Sequence, residues 1–215
     1  MPKKLVLFGA TGQTGRHVLP MAVEAGHDVR CYVRSPDKIP TELRDNAQVE
    51  IVQGEFNDSD AVAAAIEGAD FVICVGGGIT ATPGLMVEVT KSIVAGMRQH
   101  GVKRFTYQAG AFSPAPGTQN PFFVGWILRP VLGTIFGISQ MLHDNDTLMA
   151  VLADDAQDLD WTVTRPGQIV DEPSTGELKV SDDMSSKCTF VDLARLTLDL
   201  AQSNDHVRMF PYVNY

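Results

Sequence analysis

The sequence predicts an α/β protein built on one doubly wound, three-layer parallel sheet, on three observations. First, Lys3-Lys4-Leu5-Val6-Leu7-Phe8 is an apolar run of strand length that passes straight into Gly9-Ala10-Thr11-Gly12-Gln13-Thr14-Gly15, and an amphipathic stretch from Arg16 to Ala25 follows. Second, strand-like and helix-like segments alternate as far as Gln108, which calls for parallel pairing through right-handed crossovers. Third, Asp70-Phe71-Val72-Ile73-Cys74-Val75 is apolar nearly throughout, as a parallel strand buried on both faces should be.

The opening turn places Gly9, Gly12 and Gly15 three residues apart between a strand and a helix. One glycine permits the sharp turn, one lets backbone N–H groups approach a pyrophosphate, and one lets the helix lie close against the strand. The unpaired N–H groups and positive dipole end of the helix would then face the phosphates. The spacing is looser than G-x-G-x-x-G, so the signal lies in the strand–turn–helix context. A bare turn with nothing bound seldom needs three glycines at one register.

Gly26 closes the first helix, Asp28 to Arg34 reads as strand two, and Ser35-Pro36 ends it. Arg34 stands about 20 residues past the glycines, where an acid would take a ribose 2′-hydroxyl and an arginine accommodates a 2′-phosphate. A guanidinium fork bonds two phosphate oxygens at once, so NADP(H) is expected in preference to NAD(H). The plain alternative is a solvated arginine at a strand end. Strand three, Val49 to Val52, leads through Gly54-Glu55-Phe56-Asn57-Asp58 to a helix at 59–67, for which Asp58 and Ser59 are natural N-caps. Phe56 can flank an adenine ring, or it can belong to the core. Strand four ends in Gly76-Gly77-Gly78, at the sheet edge where ligands of such folds lie. A helix at 85–100 ends at Gly101, and strand five is Lys103 to Gln108.

From Ala109 to about Gln140 the alternation breaks. Ser113-Pro114-Ala115-Pro116-Gly117 is rich in turn formers, and residues 121–138 are nearly all apolar. A membrane span needs about 20 apolar residues, whereas this stretch carries Arg129-Pro130 at its middle and lacks basic flanks. Two short helical turns over the carboxyl edge of the sheet are expected instead, as a lid or as a dimer or interfacial-membrane contact. Beyond lie a helix at 144–153, strand six from Asp160 to Arg165, a short strand at 177–180, a helix at 190–202 and a last strand at 207–210.

With 215 residues, 44% of them hydrophobic and 20% charged, residues 1–215 read as one globular domain, with 109–140 as its apolar insertion. Acidic residues outnumber basic ones by 26 to 17, which argues against a general affinity for nucleic acid or anionic membrane. Cys31, Cys74 and Cys188 lack metal-ligand spacing and read as buried thiols of a reducing compartment, with no metal site. The chain enters strand one almost at once, leaving no room for a targeting peptide, so a cytoplasmic location is expected.

Gly9 to Gly15, Val33-Arg34-Ser35-Pro36, Gly54-Glu55-Phe56, Asp160 to Gly167 and Phe190-Val191-Asp192-Leu193-Ala194 together resemble the atypical short-chain dehydrogenase/reductase superfamily, in its NmrA-like, NAD(P)H-binding branch. Within that branch the chain is similar to the flavin reductases (biliverdin-IXβ reductases), down to the aromatic end at Phe210-Pro211-Tyr212-Val213-Asn214-Tyr215. The resemblance implies a Rossmann-like fold. It also implies that Thr11-Gly12-Gln13-Thr14 holds a pyrophosphate and that Arg34, with Ser35, holds the 2′-phosphate. Glu55 and Phe56 would flank the adenine, and Val75-Gly76-Gly77 would lie along the nicotinamide-side ribose. Pro166-Gly167-Gln168-Ile169 would meet the nicotinamide, beside Gln108, Ala109 and Gly110.

The chain departs from the superfamily in its acid–base residues. Where the superfamily has a serine after strand five and a Tyr-x-x-x-Lys pair, this chain has Ala109 and Gly110, and Tyr107 is followed four residues on by Ala111. His143, beside Asp144 and Asp146, is the nearest alternative acid; its plain reading is a surface histidine among capping aspartates. Tyr107 is a second candidate if it faces the pocket. The resemblance therefore implies an NADPH-dependent reductase of a flat conjugated acceptor, flavin or quinone, which takes its proton from water. The other class is a sensor or assembly factor of the NmrA-like kind that binds NADP without turnover and presents residues 121–138 to a partner. An epimerase or dehydratase lacks the acid–base groups its chemistry depends on.

Overall fold

The computed structural model of the chain describes residues 2–76 and 82–215. In chain order the elements are β1 (Lys4–Phe8), α1 (Gly15–Glu24), β2 (Asp28–Val33), α2 (Thr41–Arg44), β3 (Val49–Gln53), α3 (Ser59–Ala64), β4 (Phe71–Cys74), α4 (Leu85–His100) and β5 (Arg104–Gln108). There follow α5 (Arg129–Ile135), α6 (Ser139–Asp155), β6 (Asp160–Thr164), β7 (Gln168–Val170), β8 (Lys179–Ser181), β9 (Lys187–Thr189), α7 (Phe190–Gln202) and β10 (Tyr212–Asn214). The central sheet runs β3-β2-β1-β4-β5-β6, all parallel, so its order reverses between β1 and β4. In open sheets of this kind, that reversal opens a crevice at the carboxyl ends of the strands.

Successive residues of β1 feed opposite faces of the sheet, because a strand's side chains alternate with period two. Val6 and Phe8 pack with Ile93 of α4 and Leu152 of α6, whereas Leu5 and Leu7 pack with Leu19 of α1 and Leu198 of α7. All four β1 side chains are fully buried. Truncating any of them to Ala would cost about 2–5 kcal/mol. The sheet is therefore a rigid base for the loops at its carboxyl edge.

Apart from α2, which the sequence did not announce, the expected elements stand with four differences. The apolar insertion forms one helical stretch rather than two separate turns: a π-helical turn, Val124–Leu128, runs directly into α5. Its packing partner is α6. The helix expected at 144–153 begins five residues earlier, where the chain turns out of α5 at Gly137, whose φ of +66° favours glycine. Residues 207–210 are not a strand, because His206 and Arg208 both adopt φ of 56°; Met209 makes a single bridge to Thr162 and the strand follows as β10. The short parallel pair β7–β9 was not anticipated.

Asp58 caps α3 as expected, accepting the Ala61 N–H at 3.0 Å. Cys31, Cys74 and Cys188 are free and buried. Among the described residues no helix is long and apolar enough to cross a membrane.

Candidate dinucleotide-binding site

The turn after β1 folds tightly on its own backbone. Gly12 N–H donates to the Gly9 carbonyl at 2.9 Å, and Arg16 N–H donates to the Gly12 carbonyl at 2.9 Å. The N–H groups of Gln13, Thr14 and Gly15 find no acceptor among the described residues. The Thr14 hydroxyl does not cap the helix, and no acidic side chain occupies its first turn. The positive end of α1 is thus left with unsatisfied donors, the arrangement that binds an anion.

Two of the glycines are required by close approach. Gly9 has φ of +89°, and a Cβ there would lie 2.5 Å from the Gly76 nitrogen. A Cβ on Gly15 would lie 2.0 Å from the Gly9 carbonyl oxygen. Gly9 thereby locks the turn to the end of β4, and Gly15 locks α1 to the turn. Gly12 is under less pressure, its Cβ falling 3.2 Å from the Gly9 oxygen. Its chain neighbours aside, no other heavy atom of the described residues would lie within 4 Å of that Cβ.

On the β2–β3 side, Arg34 is exposed, and its carbonyl accepts from the Gln53 amide at 3.3 Å. Its guanidinium makes no ion pair among the described residues. Ser35 leads into a single 3-10 turn, Pro36–Lys38. Phe56 packs against the core, one of the two roles expected of it. It is half-buried, lies 6.4 Å from Tyr32 with the rings only 7° apart, and sits 6.3 Å from Phe8. Its outer edge crosses Gly76, where a Cβ would come within 3.0 Å of the ring. Glu55 is exposed, with its carbonyl bonded by the Tyr32 hydroxyl at 2.9 Å. Val75 is buried, its N–H donating to Phe8 at 3.1 Å, and Gly76 is half-buried. Gly77 lies outside the described residues.

On the β5–β6 side, Ala109 N–H donates to the Thr164 carbonyl at 2.9 Å and Ala111 N–H to that of Pro166 at 2.8 Å. Gln108 is half-buried, and its side-chain oxygen is buried with no partner among the described residues, at the end of a central strand. Gly110 faces α6, where the Asn145 amide nitrogen would lie 4.0 Å from a Cβ. Pro166 is buried, and Gly167 fits because a Cβ would fall 1.9 Å from the Ser186 carbonyl oxygen. Gln168 is exposed and Ile169 half-buried on β7.

Two side chains that the sequence did not single out hold this edge in place. Arg165 donates to the carbonyls of Phe210 (2.7 Å) and Ser113 (3.2 Å) and lies 3.7 Å from the centre of the Tyr212 ring. Burial pulls its pKa below the ordinary arginine value. Arg16 and Asp171 pair at 2.6 Å, joining the start of α1 to the exit of β7.

The two candidate acids differ in exposure. Tyr107 is buried, and burial, followed by the nearby Cys74 and Asp144, pushes its phenol well above the ordinary value. His143 is exposed on α6, on the wall of a cavity of about 670 Å3 that Phe56 and Gly84 also line. The aspartates beside it do not cap α6. Asp144 is buried and accepts the Gly84 N–H at 3.0 and 3.1 Å, so it caps α4 from the neighbouring helix. Asp146 pairs with Arg129. Burial raises the thiols of Cys31 and Cys74 to about 12 and that of Cys188 to about 11, which leaves them inert. No cluster of His, Cys, Asp or Glu suited to a metal occurs among the described residues.

Donors aimed outward from a glycine-built helix start, at the reversal point of a parallel sheet, define a Rossmann-like dinucleotide-binding protein. The chain belongs to the NAD(P)H-binding family, whose model matches residues 9–204. An uncharacterized chloroplastic protein of Arabidopsis thaliana is 27% identical over 188 residues, which are 82% of this chain and 62% of that protein. This chain therefore spans about three-fifths of that relative. Among solved structures, a short-chain dehydrogenase/reductase of Veillonella parvula in complex with NADP superposes with a TM-score of 0.78 at 17% identity, over 100% of this chain and 95% of that one. The anaerobilin reductase ChuY of Escherichia coli O157:H7 gives 0.78 at 19% identity, over 98% and 96%. At these identities the two structures establish the fold.

Proposed function

We propose that the protein is an NADPH-dependent reductase of a flat, conjugated acceptor of the flavin or quinone type, acting by direct hydride transfer. One contrast carries this reading. The cleft offers free donors for a diphosphate, while the positions from which a carbonyl reductase delivers its proton hold Ala109, Gly110 and a buried Tyr107. An acceptor that takes hydride into a conjugated ring system can draw its proton from water, so holding two rings in register is most of the task.

In this reading the N–H groups of Gln13, Thr14 and Gly15 bind the diphosphate, beside Thr11 and Gly12. Arg34 and Ser35 take the 2′-phosphate, which makes NADPH the preferred cofactor. Glu55 and Phe56 border the adenine, and Val75, Gly76 and Gly77 border the second ribose. Gln108, Ala109, Gly110 and Pro166 to Ile169 orient the nicotinamide, which supplies the hydride when bound. His143 stays in solvent on the neighbouring wall and is dispensable. A cytoplasmic location belongs to the same proposal.

The second reading is a sensor or assembly factor that binds NADP without turnover. The missing acid–base residues favour it, as does the exposed apolar face of residues 122–136. Incubating the purified protein with NADPH and either FMN or a simple quinone separates the two. The reductase reading predicts cofactor oxidation that depends on the acceptor. Tight NADPH binding with no oxidation in either case would overturn it in favour of the sensor.

A further inference from the structure

Among the described residues, large apolar side chains left uncovered lie together along one helical stretch. Phe122, Trp126 and Ile135 are 72%, 77% and 69% exposed, and Phe123 and Phe136 are each 61% exposed. Phe122 and Trp126 stack with centroids 6.0 Å apart and planes at 19°, so the amino-terminal end of the stretch is already packed. With a whole aromatic side chain presenting about 150–250 Å2 and the aliphatic ones somewhat less, the uncovered surface is on the order of 800 Å2. The largest apolar patch on a typical monomer is about 300–600 Å2. A standard interface takes about 800 Å2 from each partner.

Charge distinguishes between the possible occupants. From Phe105 to Leu142 the only side chain charged at neutral pH is Arg129, and it is turned back onto Asp146 and the Leu142 carbonyl. A helix that lies in a membrane surface carries Lys and Arg on its polar face. This one has none to spare, and a net charge of −9 repels an anionic leaflet. Two copies of the chain, by contrast, can meet on an uncharged face without juxtaposing their acidic residues.

We infer that this face is the interface of a homodimer. A two-fold axis across the helix sets the Phe122 and Trp126 end of one copy against the Ile135 end of the other, because an isologous contact uses one patch twice. The residues from 122 to 135 span about 20 Å of helix, long enough for such a contact. This inference is independent of the acceptor chemistry proposed above.

Sedimentation velocity of the full chain at micromolar concentration tests it, with the wild type beside the double variant Phe122→Ser/Trp126→Ser and, as a second variant, Ile135→Lys. Circular dichroism and NADPH affinity are measured on all three. The wild type should sediment as two chains. Each variant should keep its fold and cofactor affinity while dimer dissociation rises roughly thirtyfold or more, as for truncation of an interface anchor. A monomeric wild type would overturn the inference, whether or not it floats with phosphatidylcholine vesicles. So would folded variants that dimerise as tightly as the wild type.

Discussion

Replacing Arg34 with Ala should separate the two nicotinamide cofactors. The side chain is exposed and forms no ion pair among the described residues, and the hydrogen bond its residue accepts is made by its backbone carbonyl. Removing it therefore leaves the fold intact, within about 0.5 kcal/mol. A hydrogen bond to a charged group contributes about 1.5–3 kcal/mol, and solvent screening at this position favours the lower end. A loss of about 1.5–2 kcal/mol corresponds to NADPH binding some ten- to thirtyfold weaker. NADH has no 2′-phosphate and should bind within about twofold of the wild type, since a surface change of this kind shifts energies little. Isothermal titration with both cofactors at two ionic strengths measures this directly. The selectivity gap should also narrow in high salt, because the contact is exposed. Equal weakening of NADPH and NADH would refute the assignment of Arg34 to the 2′-phosphate, and so would no change in either.

The other predictions test separate parts of the account. Gly15→Ala puts a Cβ 2.0 Å from the Gly9 carbonyl oxygen, so the turn must shift; thermal denaturation should show a loss of about 1–3 kcal/mol and titration a clear loss of NADPH affinity. Asp144→Ala removes the carboxylate that caps α4 and should cost about 1–2 kcal/mol in denaturant unfolding, with NADPH affinity little changed. Burial pushes the Asp192 carboxyl up, but donors from Ser174, Thr175, Thr189 and Tyr215 outweigh it and hold the group down to about 2. Its folded pKa lies below its unfolded value, so its contribution of about 2 kcal/mol is complete above the ordinary carboxylate range and is lost as pH falls through about 2. Asp192→Asn should flatten that part of the acid-unfolding profile. His143→Ala should leave kcat for quinone or flavin reduction and its pH profile unchanged; a marked fall in kcat with a lost titration step would make His143 the proton donor.

The central sheet was legible in the sequence because its signals are local. Leu5 to Phe8 and Phe71 to Cys74 are apolar at strand length, and the glycines that end α1 and α4 stand at the expected positions. The tight turn after β1 was legible for the same reason, since three glycines in one turn state what the backbone must do. What escaped notice depends on contacts distant in sequence. Asp144 looks like a cap for its own helix, yet its partner is the N–H of Gly84, 60 residues away. Ile138, at the true start of α6, offers no side-chain cap and so no signal. The strands β7 and β9 have three residues each, too few for an alternation to register. Arg16 and Asp171 lie 155 residues apart, and nothing near either announces the other.

The extent of the apolar insertion was plain from composition, but not its form. In the sequence Arg129-Pro130 counted against a membrane span. In the structure Pro130 lies in the first turn of α5, directly after the π-helical turn, and the helix runs on. Which side of that helix faces outward follows from its packing on α6, which no periodicity within 121–138 could supply.

The account rests on a diphosphate held by the start of α1, and a crystal structure of the NADPH complex tests that most directly. Diphosphate oxygens should lie about 3 Å from the backbone nitrogens of Gln13, Thr14 and Gly15, with the 2′-phosphate against Arg34. A cofactor bound elsewhere on the chain, or crystals saturated with NADPH in which that helix start carries only water, would contradict it.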